Sequence, residues 1–440
     1  MKVLLSIIFI SVLCFQTINV SAEELDLEQY LAMVERNNPD LLLMFKDIEL
    51  ARTDISLARS MFLPRAGVQG SYNRNLTERT QSMAVASMPG GGPLVFQDVR
   101  TNYDNEVTLG IGISQVLFSV GAISNYNKAK LGRAIREQSY ETAKQTVLCA
   151  AKKLYLRAQL VLLVLEIQES SEKFSLEQYQ RVERRYQAGA ATEMELLSAE
   201  VGWRTKTDAV MEAKKNAELV LLAFRDLAGI PHSEGIKLTN KLTDLPEIPD
   251  TPYLGAILTN RADYRALLLS RELTEIDRKA ARNAFFPEVS ASFNYALGGM
   301  GNGSSFVGDY DFNSAAFGIT VSIPILTGGA RLARVQSAKL AQEKTIISLS
   351  KKETVIESEL IELQLRLDAA WHQYESAYRT FEIAQRAVAL AQTAFSNGQA
   401  TYLTVMDAQD KLDLVWLNFA NSNFEYMSAY YDWELATGEN

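Results

Sequence analysis

The sequence predicts a mainly helical, internally duplicated chain in which each half carries a β-hairpin suited to a membrane barrel. Three observations predict it. The ten prolines leave residues 94–230 and 325–440 without one, and proline breaks helix interiors, so both stretches can hold long helices. Landmarks recur in the same order through both halves. Between the landmarks lie short runs that alternate apolar with small or polar residues.

The N-terminus reads Met1, Lys2, the apolar run Val3 to Phe15, then Val20, Ser21, Ala22 before Glu23 and Glu24, the pattern of a secretory signal peptide over 1–22. The run is shorter than the roughly 20 apolar residues of a spanning helix. Cys14 lies inside that run after Leu13, where a lipoprotein leader needs a small residue, so a lipid anchor is not expected. With the leader gone, 43 basic and 53 acidic residues remain and the net charge goes from −9 to −10, which disfavours nucleic acid as a partner. Cys149 is then the lone cysteine, and no internal disulfide can form.

The first repeat is assigned to 23–230, with helix, β-hairpin at 65–117, long helix, tip and helix. A proline-rich linker at 231–252 leads to the second repeat at 253–440, with its hairpin at 288–325. Asn38-Pro39-Asp40 matches Arg261-Ala262-Asp263, and Met61-Phe62-Leu63-Pro64 matches Ala284-Phe285-Phe286-Pro287, both shifted by 223. Further on, Tyr186-Gln187-Ala188-Gly189 matches Phe395-Ser396-Asn397-Gly398 at a shift of 209. The difference places a longer loop, including Met88-Pro89-Gly90-Gly91-Gly92-Pro93, in the first copy. The run Gly298 to Gly303 reads as an extracellular turn.

In the hairpins, Val107, Leu109, Ile111 and Ile113 alternate with Thr108, Gly110, Gly112 and Ser114. Phe317, Ile319, Val321 and Ile323 do the same in the second copy. Aromatic residues bracket them (Phe62, Tyr103, Phe118, Phe285, Phe286, Tyr310), as an interfacial girdle would. A soluble sandwich is the other reading of the alternation alone. Four strands cannot close a barrel; two chains give eight strands and a filled interior, whereas three give twelve and room for water. Ala330 to Asn397, 68 residues without glycine or proline, would span about 100 Å as one helix at 1.5 Å per residue. It carries a seam at steps of four and three, Ile356, Leu360, Leu363, Leu367, Ala370, Tyr374, Ala377, Phe381, Ala384, Val388, Ala391, Phe395. In the first copy Glu169 and Glu172 interrupt the stripe, so its surroundings must differ.

Together these residues resemble the TolC-type outer-membrane efflux proteins over nearly all of the chain after the leader. The resemblance rests on Phe62-Leu63-Pro64 and Phe286-Pro287, on Val116-Leu117-Phe118-Ser119-Val120-Gly121 and Ile323-Pro324-Ile325-Leu326-Thr327-Gly328-Gly329, on the tips at Gly189 and Gly398, and on Leu227-Ala228-Gly229 and Leu435-Ala436-Thr437-Gly438. It implies a homotrimer with a 12-stranded barrel in outer-membrane lipid and an α-helical periplasmic tunnel. The trimer would be the exit duct of a tripartite efflux or type I secretion system, with a periplasmic adaptor and an inner-membrane RND or ABC transporter as partners. It implies adaptor contact at the tips, here Gly189, Ala190, Gly398 and Gln399. Ala188-Gly189-Ala190 and Asn397-Gly398-Gln399 depart from the family's valine-glycine-hydrophobe pattern, which leaves adaptor choice open. It also implies acidic residues at the periplasmic entrance, here Glu195 and Asp407; solvated surface charge is the other reading of both. No catalytic motif, cofactor or metal site is expected, since His232 and His372 are the only histidines and no phosphate-binding loop is present. A non-conducting exported coiled-coil protein or adhesin is the rival function.

Overall fold

The computed structural model describes residues 23–86, 94–232, 236–239, 245–250, 252–304, 310–397 and 399–438. The leader at 1–22, the loop segment Met88–Pro93 and Gly398 fall outside them. In chain order the elements are β1 (Glu23–Leu25), α1 (Leu27–Asn37), α2 (Pro39–Ser60), β2 (Arg65–Arg74), β3 (Thr80–Ala86), β4 (Val95–Arg100), β5 (Asn105–Phe118), α3 (Val120–Gln187) and α4 (Glu193–Ala228). There follow β6 (Ile236–Leu238), α5 (Leu254–Asn260), α6 (Ala262–Asn283), β7 (Glu288–Gly301), β8 (Tyr310–Ser322), α7 (Ala330–Ser396) and α8 (Tyr402–Thr437). Two compact units cut across the repeats: one holds residues up to Lys46, Gln138–Arg265 and Ser350 onward, the other Asp47–Glu137 and Ala266–Leu349.

The second of these units carries the barrel strands. They form one antiparallel sheet in the order β2-β5-β7-β8, and β5 and β7 join the two repeats through a continuous ladder from Asn105↔Gly301 to Phe118↔Val289. Directly paired residues share a face, so the register gathers Val68, Ile111 and Tyr295 in one row, Leu109 and Leu297 in another, and Ile113, Phe293 and Phe317 in a third. These side chains form one apolar face, all of them at least a third exposed. Gly110, Gly112, Ser114, Ser292, Asn294, Ala296, Gly318 and Thr320 line the other. At one end of the sheet the rings of Tyr103 and Tyr310 stack at 6.5 Å; Phe118, Phe285 and Phe286 stand exposed at the other.

Two expectations for these strands need correction. Gly298 to Gly301 is strand rather than turn, paired with Thr108 to Asn105. A Cβ at Gly298 would lie 2.5 Å from the Val107 carbonyl oxygen and 2.7 Å from the Phe312 ring, so the glycine lets Phe312, its ladder partner, fold across the backbone. The second hairpin also ends at Ser322 rather than 325, because Pro324 cannot donate to the ladder. The long first loop holds a feature the sequence reading missed: β3 and β4 pair as a separate hairpin, with Arg100 bridging Glu78 at 3.1 Å and Asp104 at 2.5 Å.

In the other unit, α7 packs on α8 as its seam requires. All twelve seam positions are buried or half-buried. Phe381 stacks on Phe419 (5.3 Å) and contacts Trp416 (5.9 Å), and Trp371 meets Tyr426 at 5.1 Å. A core beneath α1 joins Tyr30, Val34, Ala151, Tyr155 and Phe224; the Tyr30 ring lies 3.9 Å from that of Phe224 and its hydroxyl donates to the Phe224 carbonyl at 3.1 Å. Beside it β1 pairs in parallel with β6, a three-residue contact across more than 200 residues of chain. Tyr155 donates from its hydroxyl to Leu25 O at 2.9 Å, fixing that strand.

The duplication is visible here as a repeated clasp. Gly229 and Gly438 end α4 and α8 in the left-handed region, φ 65° and 73°. A Cβ on Gly229 would lie 3.1 Å from that of Asn37, and one on Gly438 3.2 Å from that of Asn260. Asn37 and Asn260 are themselves related by the shift of 223. One residue on, Asn38 Nδ2 donates to Leu227 O at 3.2 Å, while Arg261 Nη1 donates to Ala436 O at 3.1 Å. Arg261 also holds Asp263 (2.9 Å) and Glu359 (2.8 Å), and Lys352 reaches Asp263 at 2.8 Å. Burial opposes ionisation of Asp263, but hydrogen bonds from Arg261 and Lys352 and their charges hold its carboxyl well below the usual range.

Gly229→Ala and Gly438→Ala should each destabilise the extracted protein by about 1 kcal/mol or more, seen as a lower thermal midpoint, since alanine must adopt positive φ there. Gly132→Ala, within α3 and with open space around the added methyl, should instead stabilise by about 0.4–1 kcal/mol. The depressed Asp263 value stabilises the fold above the ordinary 3.8 and that contribution fades as pH falls through the folded value. Asp263→Asn should therefore lower the melt at pH 7 and make it less steeply dependent on pH below about 4, as calorimetry would register.

Candidate functional site

The two helical hairpins end in turns built the same way. At the first, α3 closes with a Schellman motif: Ala190 N–H donates to Arg185 O at 2.7 Å and Gly189 N–H to Tyr186 O at 2.9 Å. Gly189 takes φ 72°, as expected of a tip glycine. Nothing lies within 4 Å of a Cβ placed there, so conformation alone requires glycine and the turn stands open to a partner. Thr192 then caps α4: its side chain accepts from Glu195 N–H at 3.3 Å and the Glu195 carboxylate accepts from Thr192 N–H at 2.8 Å, a full capping box.

The second turn repeats this at a shift of 209. Gln399 N–H donates to Ala394 O at 2.8 Å, and Thr401 caps α8 by accepting from Thr404 N–H at 3.3 Å. Asn397 and Gln399 flank Gly398, which lies outside the described residues.

Glu195 and Asp407 have different surroundings. Glu195 is the third residue of α4 and aligns under that shift with Thr404, not with Asp407. The hydrogen bond from Thr192 N–H holds its carboxyl below the ordinary value. Asp407 sits about one turn beyond Thr404 on an exposed face and pairs with Lys411 at 2.7 Å. Glu195 thus has a local task as a cap, whatever else it faces.

Sequence reasoning missed a polar tie among the three helices behind the first tip. Lys206 of α4 reaches Asp410 (2.9 Å) and Asp413 (3.1 Å) of α8, and Ser171 of α3 donates to Asp413 from the other side. Gln409 donates to Asp413 at 2.9 Å. Asp413 is buried. Desolvation works against the Lys206 ammonium, yet the two carboxylates raise its pKa above the ordinary value. Here α3 buries Ser171, Ser175, Gln178 and Val182 at steps of four, three and four, a polar version of the α7 seam. A charge on α8 facing small polar residues on α3 was the available signal, but it needed the pairing of the helices to be seen.

Among the described residues no helix is long and apolar enough to cross a membrane, and no group of three or more His, Cys, Asp or Glu could hold a metal. A sheet with one apolar and one polar face, with long helical hairpins bearing matched open tips, defines a barrel-contributing membrane protein with helical hairpins outside the lipid. The family model described as "Outer membrane efflux protein" matches residues 31–229 and 253–438, and the chain belongs to that family, one of outer-membrane efflux proteins rather than enzymes. Its place is the outer membrane, extending into the periplasm.

The chain is 22% identical over 320 residues to the alkaline protease secretion protein AprF of Pseudomonas aeruginosa, covering 72% of this chain and 64% of that protein's length. It is 23% identical over 423 residues to the outer membrane efflux protein BepC of Brucella suis, covering 92% and 83%. Its fold matches the crystal structure of the Campylobacter jejuni CmeC outer membrane channel with a TM-score of 0.76 and 20% identity, over 94% of this chain and 85% of that one.

Lys206→Met should destabilise the extracted protein by about 1–3 kcal/mol, because it leaves the buried Asp413 without its cation. Asp410→Asn, on the more exposed arm, should cost clearly less in the same thermal melt.

Proposed function

We propose that the chain is one subunit of a homotrimeric exit duct in a tripartite efflux or type I secretion system. The observation that carries this is the sheet. Its apolar face suits outer-membrane lipid and its small, polar face suits water, yet β2 and β8 each pair on one side only among the described residues. Open edges in hydrocarbon cost several kcal/mol per unpaired group, so other copies must supply the neighbours. Three copies give twelve strands and a water-filled interior, whereas two would leave a barrel that its own side chains fill. Family membership favours the duct over a non-conducting coiled-coil scaffold or adhesin.

In this reading the duct is passive. Energy comes from an inner-membrane RND or ABC transporter, and a periplasmic adaptor engages the tips at Gly189, Ala190, Gly398 and Gln399. Packing of the helical hairpins closes the periplasmic end, and the Lys206–Asp413 tie helps to hold α8 against α3 and α4. Glu195 and Asp407 would place rings of carboxylate at the narrowed entrance and favour cations.

Single-channel recording of the purified trimer in a planar bilayer tests this. Small, cation-selective steps are expected, and a soluble, non-conducting species would overturn the duct. Glu195→Gln separates charge from structure, because glutamine also closes a capping box. It should lower the melt only slightly, through loss of the charge on the cap, and reduce cation selectivity; unchanged selectivity in Glu195→Gln with Asp407→Asn removes the acidic ring from the mechanism.

A further inference from the structure

The end of α3 carries charge that the turn does not need. Arg181, Arg184 and Arg185 line a pocket of about 380 Å³ whose apolar surface includes Val182, Ala190 and Phe395, the last from α7. Val182 is buried and Phe395 half-buried, while the three arginines are exposed. Arg185 is engaged, its Nη2 donating to Ala190 O at 3.1 Å. Arg181 and Arg184 have no side-chain hydrogen bond or ion pair with any described residue.

From Gln178 to Ala190 there are three arginines against one acid, Glu183, in a chain with 44 basic and 53 acidic residues. The corresponding segment of the second copy, Ala387 to Gln399, contains no ionisable side chain, and Arg181, Arg184 and Arg185 align there with Leu390, Thr393 and Ala394. A helix C-terminus favours a cation by about 0.3–1 kcal/mol. The second tip nevertheless closes with the matching hydrogen bond, Gln399 N–H to Ala394 O, without any. The arginines are thus not a condition of the turn.

We propose that this pocket receives an acidic side chain of the periplasmic adaptor, its carboxylate held by Arg181 and Arg184 and an adjoining apolar group laid against Val182 and Phe395. Guanidinium groups bind carboxylates through paired hydrogen bonds, and an apolar floor strengthens such a contact by excluding water. The pocket is far larger than a free small anion and its floor offers apolar surface, which fits a polypeptide segment. This rests on the proposed docking of an adaptor at the tips and adds its chemistry: the first tip recognises charge, and the second, uncharged, does not.

The test compares Arg181→Lys/Arg184→Lys, Arg181→Gln/Arg184→Gln and Arg181→Glu/Arg184→Glu in the full chain in its native host. Oligomeric mass and single-channel conductance of each purified protein serve as controls, and both should match the unaltered chain. Export should fall in the order lysine, glutamine, glutamate, with the glutamate variant at least about tenfold down because attraction becomes like-charge repulsion. A complete scan replacing each acidic residue of the adaptor by lysine should find one that restores export to the glutamate variant and not to Gly189→Val. Normal export by the glutamate variant overturns the proposal, as does a scan without rescue. If the unaltered chain itself neither conducts nor supports export, the duct reading fails and the arginine contact falls with it; an unaltered chain that does both isolates the failure to the arginines.

Discussion

A strand edge in hydrocarbon has no water to satisfy its N–H and C=O groups, and that constraint governs how this chain is organised. A single hairpin would present two such edges. Two hairpins from duplicated halves would present four, unless they pair with each other. The ladder between β5 and β7 does this, fusing the repeats into one four-stranded sheet in which, among the described residues, only the outer sides of β2 and β8 have no neighbouring strand. In the homotrimer proposed above, duplication within one chain would halve the number of seams that separate chains must close. The same register brings every apolar residue of the alternation to one face, so pairing and lipid exposure follow from one geometry.

The repeats preserve backbone requirements and let side chains diverge. Gly229 and Gly438 both turn a helix end with positive φ against an asparagine, and in each copy an added Cβ would sit tightly, 3.1 and 3.2 Å from the asparagine Cβ. The residue that reaches back to the helix end is Asn38 in one copy and Arg261 in the other, and the larger side chain has acquired Asp263 and Glu359 as partners. Likewise Thr192 and Thr401 both cap, but Glu195 completes a box that Thr404 does not. Where geometry is fixed by the main chain, the residue type recurs; where only a donor is needed, it drifts.

This division explains what was legible in the sequence. Alternation along Val107 to Ile113 and the four-three seam of α7 are local periodicities, and each sets its own face whatever the partner. Glycine at the first tip is local too, since φ is a property of one residue. The β1–β6 pairing rests on three residues joined across the chain, with no period long enough to announce it. Gly298 to Gly301 reads as a turn by composition, and its ladders to β5 and β8, partners distant in sequence, make it strand. The Lys206–Asp413 tie was hidden for a related reason: charge on a helix is ordinarily solvated, and its burial depends on which helices meet.

The two tips share a fold and differ in charge, and that difference bears on how a passive duct could be opened at all. A partner shifts an equilibrium only through interactions that differ between the states it links. Two hairpins with identical tips would give a partner no chemical means of holding one more firmly than the other, whereas tips that differ in charge do. In this chain the tie between them is already unequal, since the cation is on α4 and the carboxylates are on α8. An adaptor that holds the arginine-bearing end of α3 and makes only neutral contact beyond α7 would load one side of that tie, so the energy of docking could be spent across Lys206 and Asp413 instead of being lost equally on both hairpins.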